Sequence, residues 1–305
     1  MTDALKDDIR RDAPTPGVAE RLSPLVRRVL APNPGPFTFR GTCSYLVGVG
    51  EVAIVDPGPA DEAHVAALLA ALRGERLAAI LVTHTHRDHS PAAARLRELT
   101  GAPLLGCAPY ALRAGLTETE GGPKFDAAHD RRYAPDRSLA DGETLRFGGA
   151  TLEVVATPGH TANHLCYALR EELCLFSGDH VMAWSTTVVA PPDGSMRDYM
   201  DSIEKLRLRD DALYWPAHGG PVREPQRYLR ALVHHRHHRE QAILARLDAG
   251  TRDIASIVEL IYVGLDRRLF PAAAMNVLAH FEDLIERGVI AADEPASLQA
   301  RFRRV

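Results

Sequence analysis

The chain has 305 residues, 46% of them apolar and 25% charged, which is the composition of a soluble globular protein and length enough for two domains of about 150 residues each. Its 23 Gly and 21 Pro are scattered, so collagen-like and low-complexity classes are excluded. No apolar run approaches the ~18 residues of a membrane span, and the charged start MTDALKDDIRRDAPTPG predicts no signal peptide. A formal charge of −4, from 36 basic and 40 acidic residues, gives no general attraction to nucleic acid. Cys43, Cys107, Cys166 and Cys174 form no CxxC pair and read as reduced, buried thiols, which points to a cytoplasmic location. The unusual number is 14 histidines, and their placement along the chain points to a function.

Residues 1–24 read as a polar, Pro-interrupted, flexible lead-in. YLVG (45–48) and VAIVD (52–56) predict paired strands, and 61–72 a helix. The continuous apolar run AAILVT (78–83) predicts a buried strand. Ser90-Pro91 then reads as an N-cap followed by Pro at the first helical position, opening a helix to about Leu99. Residues 117–141, rich in Gly, Pro, Asp and Arg, predict a long surface loop. Further strands are expected at 152–156, 165–169, 173–177 and 212–215. After Gly220-Pro221 the character turns helical, with helices expected at about 225–249, 251–262 and 271–287. The segment from 223 to 305 carries 13 Arg and 11 acidic residues, so it is net basic while the first 222 residues are net acidic. The boundary is therefore placed near residue 222, giving domains 25–222 and 223–305.

The strand 78–83 runs into His84-Thr85-His86-Arg87-Asp88-His89. Chance supplies such a pattern in a chain of this length with odds on the order of 0.003, so the loop reads as a functional cluster rather than a solvated turn. Three more sites share its setting: TPGHT puts His160 after strand 152–156, SGDH puts Asp179 after 173–177, and WPAHGG puts His218 after 212–215. If the strands share sheets, these loops converge at one edge. Imidazole nitrogen and carboxylate oxygen suit Zn²⁺ first, with iron or manganese as alternatives. A single tetrahedral ion needs four ligands and this set offers seven, which argues for two ions with Asp179 able to bridge them.

THTHRDH, TPGHT, SGDH and PAHG, in this order, resemble the metal-site motifs of the metallo-β-lactamase superfamily. FTFRGTCSYLVG, TPGHTANH and HRHHREQAIL, with a tail over about 250–290, resemble its β-lactamase-like protein 2 family. The resemblance implies an αβ/βα four-layer sandwich with a C-terminal helical, winged-helix-like domain. It implies that His84, His86 and His160 hold one zinc and that Asp88, His89 and His218 hold the other, with Asp179 between them. Asp88 would also be the catalytic group that orients the nucleophilic water. Asp56 in VDPG either orients a ligand histidine from behind or is a turn residue before Pro-Gly. His164 either supports the metal site or simply packs. That family includes an endoribonuclease acting on single-stranded RNA, which implies phosphodiester hydrolysis by a metal-bridging hydroxide. His180 stands where that endoribonuclease has Cys, and it serves as a proton donor at the substrate or is packed. Phe37 and Phe39 either wall the cleft or form an apolar plug.

A thioester hydrolase of the glyoxalase II type would share every ligand, although PAHGGPVREPQ departs from that family's run after the last histidine. A lactonase or β-lactamase and a persulfide dioxygenase are further alternatives. A nucleic-acid-binding module is disfavoured because the would-be recognition helix 271–288 carries Glu282, Asp283 and Glu286. The expected partners are an anionic small molecule or single-stranded RNA as substrate and a second copy of the chain, with no membrane and no sequence-specific DNA. His64, His129 and His280 read as surface or structural residues rather than ligands. On the long helix, Leu229, Leu232, Val233, Ile243, Leu244 and Leu247 form one stripe that also contains Arg236 and Glu240. Those two either satisfy each other, or the face lies near the cleft with His235, Arg236 or Arg239 meeting an anionic substrate.

Overall fold

The computed structural model describes residues 12–111 and 129–305. Strands β1 (Glu20–Arg21), β2 (Val26–Leu30), β3 (Cys43–Val47), β4 (Glu51–Val55), β5 (Arg76–Val82), β6 (Leu104–Gly106) and β7 (Arg137–Ser138) form one sheet in that order. Its first half is antiparallel, and from β4 onward the pairs are parallel. Helices α1 (Glu62–Leu72) and α2 (Ala92–Thr100) supply the crossovers that parallel strands require. Asp61 starts α1 by accepting the His64 backbone N–H at 2.7 Å.

The second sheet runs β12 (Leu213–Pro216), β11 (Cys174–Gly178), β10 (Leu165–Leu169), β9 (Ala150–Ala156), β8 (Thr144–Phe147). Alternation along β10 places this sheet. Leu165, Tyr167 and Leu169 enter the core shared with the first sheet, while Cys166 and Ala168 face a second core with helix α3 (Met196–Arg207). Both faces are buried, as in a sheet covered on two sides. The layers are therefore helix, sheet, sheet, helix.

Helix α4 (Pro225–Asp248) begins just past the boundary expected near residue 222 and joins two cores. Leu229 and Leu232 in its first half belong to the core under the second sheet, and Ile243, Leu244 and Leu247 belong to a third core with α5 (Ile254–Ile261) and α6 (Phe270–Glu286). The ribbon β13 (Ile290–Ala292) and β14 (Phe302–Arg304) completes the winged-helix unit. At the other end, residues expected to be lead-in are drawn onto the sheet: β1 pairs with β2, and Asp12 and Glu20 hold the buried Arg28 guanidinium at 2.8 and 2.7 Å. The expected loop 117–141 lies partly outside the described residues. All four cysteines are free and buried, and no helix among the described residues is long and apolar enough to cross a membrane.

Candidate metal centre

Each candidate ligand follows the end of a strand: His84, His86, Asp88 and His89 follow β5, His160 follows β9, Asp179 follows β11 and His218 follows β12. Two sheets thus open their loops onto one point. His84, His86, His160 and Asp179 form one group and Asp88, His89 and His218 another, the donor atoms of each lying within 4.8 Å of one another. Asp179 reaches both groups, with Oδ2 3.7 Å from His160 Nε2 and 3.5 Å from His89 Nε2, and Oδ1 3.3 Å from His218 Nε2. Asp88 Oδ2 lies 3.0 Å from His218 Nε2 and 3.3 Å from His89 Nε2.

The imidazoles are tied from behind. His160 Nδ1 donates to Val188 O at 2.7 Å and His218 Nδ1 to Gly41 O at 3.1 Å, since a carbonyl only accepts. His89 Nδ1 donates to Asp56 Oδ2 at 3.0 Å. Thr83 Oγ1 gives its own proton to Asp56 Oδ2 at 2.8 Å, so it accepts from His84 Nδ1 at 2.9 Å. In all four rings Nε2 consequently faces the cluster. His86 joins with Nδ1, 2.9 Å from His84 Nε2 and 3.1 Å from His160 Nε2.

The electrostatics divide accordingly. Burial, then the neighbouring imidazoles, hold His84 and His86 well below the ordinary histidine range, so both are neutral. Burial also pulls on His89 and His218, but the carboxylates outweigh it. Asp88, Asp179 and Asp56 raise His89 well above its ordinary value, and Asp179 and Asp88 push His218 up to about 10. Asp88 and Asp179 are held below the usual carboxylate range because His89 and His218 overcome the effect of burial.

This donor set fits a pair of divalent cations. Imidazole nitrogens are crowded around buried carboxylates, and His89 Nε2 and Asp179 Oδ1 are buried without a hydrogen-bond partner. Unsatisfied buried polar atoms are costly, and a cation is the partner their chemistry calls for.

The groups behind the ligands are strongly built. Asp56 accepts the Thr83 N–H at 2.8 Å in addition to the Thr83 hydroxyl and His89. Its φ of 50° is left-handed, a conformation that Asp, with its short hydrogen-bonding side chain, adopts more readily than most residues. His164 accepts the Asp179 N–H at Nε2, 3.2 Å away, and donates from Nδ1 to Thr157 Oγ1 at 2.9 Å. Gly178 permits this approach, since a Cβ there would lie 2.6 Å from His164 Nε2.

Other expectations are corrected. Ser90 is not an N-cap: its hydroxyl reaches His86 O at 3.4 Å and Asp130 Oδ2 at 3.3 Å. His180 is not at a substrate surface but fully buried, edge-on to Tyr199 with ring centroids 4.6 Å apart. Burial pushes it down to about 3, so it is packing. Arg236 and Glu240 do not pair. Glu240 takes Arg287 at 2.8 Å, while Arg236, 4% exposed, donates inward to Thr187 O at 2.6 Å. Arg239 does not face the cleft either, since it donates to Ile261 O at 2.8 Å over the Tyr262 ring. His235, half-buried on α4, lies beside Arg236 and Arg239 and is pushed down to about 4 by burial and these two cations, so it too is no anion clamp.

Phe39 is half-buried and stacks on Trp184 at 5.1 Å. Trp184 in turn packs against Gly219, next to His218, so the pair walls that side of the centre. Phe37 is half-buried in the same loop.

Sequence reasoning missed His129. A backbone bridge to His86 brings it to the centre, with ring centroids 4.8 Å apart. There Nδ1 meets Thr85 Oγ1 at 2.8 Å, Nε2 meets Asp193 Oδ2 at 3.3 Å, and the ring stacks on Tyr110. No local pattern marks it. His64 and His280 lie away from the ligands, His64 against Ser44 Oγ at 2.9 Å and His280 buried in α6.

Residues 37–218 match the metallo-beta-lactamase superfamily, and residues 254–296 match the beta-lactamase-associated winged helix domain. The chain is 30% identical to a beta-lactamase-like protein 2 homolog of Caenorhabditis elegans, covering 89% of this chain and 88% of that one. It is 31% identical to an atrochrysone carboxyl ACP thioesterase of Paecilomyces divaricatus, covering 93% of this chain and 85% of the relative. In fold it resembles the crystal structure of a beta-lactamase domain protein from Burkholderia ambifaria, with a TM-score of 0.79 at 24% identity over 97% and 96% of the two chains. With its ligand groups at the shared edge of two sheets and a winged-helix unit behind them, the chain belongs to the metallo-beta-lactamase superfamily.

Proposed function

We propose that this protein is a dinuclear zinc hydrolase that cleaves acyl thioesters. The observation that carries the dinuclear reading is Asp179, whose two oxygens reach both donor groups. Two divalent ions, if held by these residues, would supply a water acidic enough to attack at neutral pH and positive charge for the leaving atom. The chain's own residues do the rest. Asp88 is the least buried of the seven ligands, so it faces incoming water and accepts a hydrogen bond from it, fixing its direction of attack. The Phe39–Trp184 stack offers an acyl chain an aromatic surface beside His218. The thioesterase relative, similar over nearly the whole chain, supports this substrate class.

A second reading, phosphodiester cleavage of single-stranded RNA, rests on the resemblance to the β-lactamase-like protein 2 family, a homolog of which matches 89% of this chain. The test is a parallel assay of the metal-loaded protein against an acyl-pantetheine thioester, S-lactoylglutathione and a short single-stranded RNA, with Asp179→Ala as background. Thioester turnover without RNA cleavage supports the first reading, and RNA cleavage alone replaces it with the second.

A further inference from the structure

The segment Thr187–Val189 is irregular backbone, yet it touches the metal centre at two points. Val188 O fixes the tautomer of His160, and the Thr187 hydroxyl lies 2.5 Å from Asp179 O and 3.0 Å from His180 O, donating its single proton there. What fixes the segment comes from the C-terminal helices. Arg236 on α4 donates from Nη2 to Thr187 O at 2.6 Å. Asn276 on α6 accepts the Val189 N–H at Oδ1, 3.0 Å away, and the same oxygen lies 3.4 Å from Arg236 Nη1. Asn276 is oriented in turn by donating to Ala272 O at 3.3 Å within its own helix. Arg236 lies over the Tyr199 ring at 4.8 Å, and the Tyr199 hydroxyl donates to His180 O at 3.1 Å.

We propose that the C-terminal helices α4 and α6 position the metal centre, with Arg236 and Asn276 as positioning residues that hold Thr187–Val189 and through it His160 and Asp179. This rests on the reading that these ligands bind metal. Neither residue touches a donor atom or faces the cleft, so neither acts on substrate. A buried guanidinium is costly unless its hydrogen bonds are made; here Nη2 is spent on the Thr187 carbonyl and Nη1 on the Asn276 amide oxygen, while Nε is buried without a partner. Without Arg236 or Asn276, Thr187 O or Val189 N–H is left without its partner. The segment then relaxes, and His160 loses the carbonyl that aims Nε2 inward. Groups one step behind a metal ligand govern metal affinity by about 10–100-fold. Arg236 and Asn276 act one step further back, so the lower end of that range, about tenfold, is the upper bound expected.

The experiment is a chelator competition with zinc on the full-length chain, comparing parent, Arg236→Met, Arg236→Lys, Asn276→Leu and Asn276→Asp. Thermal unfolding confirms that each is folded, and the absorption spectrum of the cobalt-loaded forms reports ligand geometry. Arg197→Ala is the control, because Arg197 joins α3 to α6 through Asp283 and Glu286 without touching the segment. The expected result is an affinity weaker by up to about tenfold and an altered cobalt spectrum in Arg236→Met and Asn276→Leu. Asn276→Asp, which keeps the acceptor, and Arg236→Lys should recover most of the loss, and Arg197→Ala should match the parent. If Arg236→Met does not fold, Asn276→Leu alone decides, since it removes only a neutral acceptor. Parent-like affinity and spectrum in the folded variants overturn the proposal. A parent that binds no zinc overturns the metal reading itself, and the positioning role with it.

Discussion

Replacing Asp56 by Asn changes almost no volume, yet it should weaken one half of the metal centre. The carboxylate accepts three bonds, from the Thr83 N–H, the Thr83 hydroxyl and His89 Nδ1. An amide keeps one oxygen. If that oxygen stays on the Thr83 N–H, the amide NH₂ faces His89 Nδ1, and the histidine must move its proton to Nε2. That is the nitrogen directed at Asp88 and Asp179, and a protonated nitrogen cannot ligate. If the amide flips, a donor opposes the buried Thr83 N–H instead. Either outcome costs about 1–3 kcal/mol, which at about 1.4 kcal/mol per decade is roughly a 10–100-fold loss in affinity for the ion held by Asp88, His89 and His218. The ion held by His84, His86 and His160 should suffer less, because Thr83 can still accept from His84 Nδ1. Chelator competition, resolving the two equivalents, reads this directly. Parent-like affinity for both equivalents in Asp56→Asn would refute the claim that Asp56 sets the His89 tautomer.

Acid should unfold the metal-free protein through its buried neutral histidines. His64 is pushed down to about 4 and His280 to about 3, in both cases chiefly by burial. The unfolded chain takes up these protons first, so the stability they contribute is complete above pH ~6.5 and is lost as pH falls toward those lowered values, on the order of 3 kcal/mol for each. Urea unfolding at pH 7, 5.5 and 4.5 should show a shallower loss in His280→Leu, and a slope equal to the parent's would contradict the assignment. Arg239→Ala should leave KM unchanged at low salt while lowering stability by about 1–2 kcal/mol, because its guanidinium serves Ile261 O rather than an anion. A weaker KM that recovers with added salt would restore a substrate role.

The two candidate ligand groups were legible because each residue is close in sequence to a strand end, and strand ends in packed sheets share an edge. The bond from Asp56 to His89 was half-legible: the VDPG turn was visible, but its target lies 33 residues away. The orientation of α4 followed from its apolar stripe, which places Leu229, Leu232 and Ile243 inward. Its charged pair did not, because helix spacing brings Arg236 and Glu240 together while the partners that win are Thr187 O, 49 residues distant, and Arg287, 47 distant. His129 was unreadable for the same reason: a single backbone bridge across 43 residues puts it beside His86. Carbonyl acceptors and isolated bridges carry no side-chain pattern, so long-range contacts made through them leave no trace in the sequence.

The claim that two cations share Asp179 is tested most directly by elemental analysis of metal per chain in the parent and in Asp179→Ala, with His280→Leu as the control remote from the ligands. The account predicts two equivalents in the parent and in His280→Leu, and one or none in Asp179→Ala, which loses both oxygens that reach His160, His89 and His218. Two equivalents retained in Asp179→Ala, or a parent that saturates at one, would contradict it.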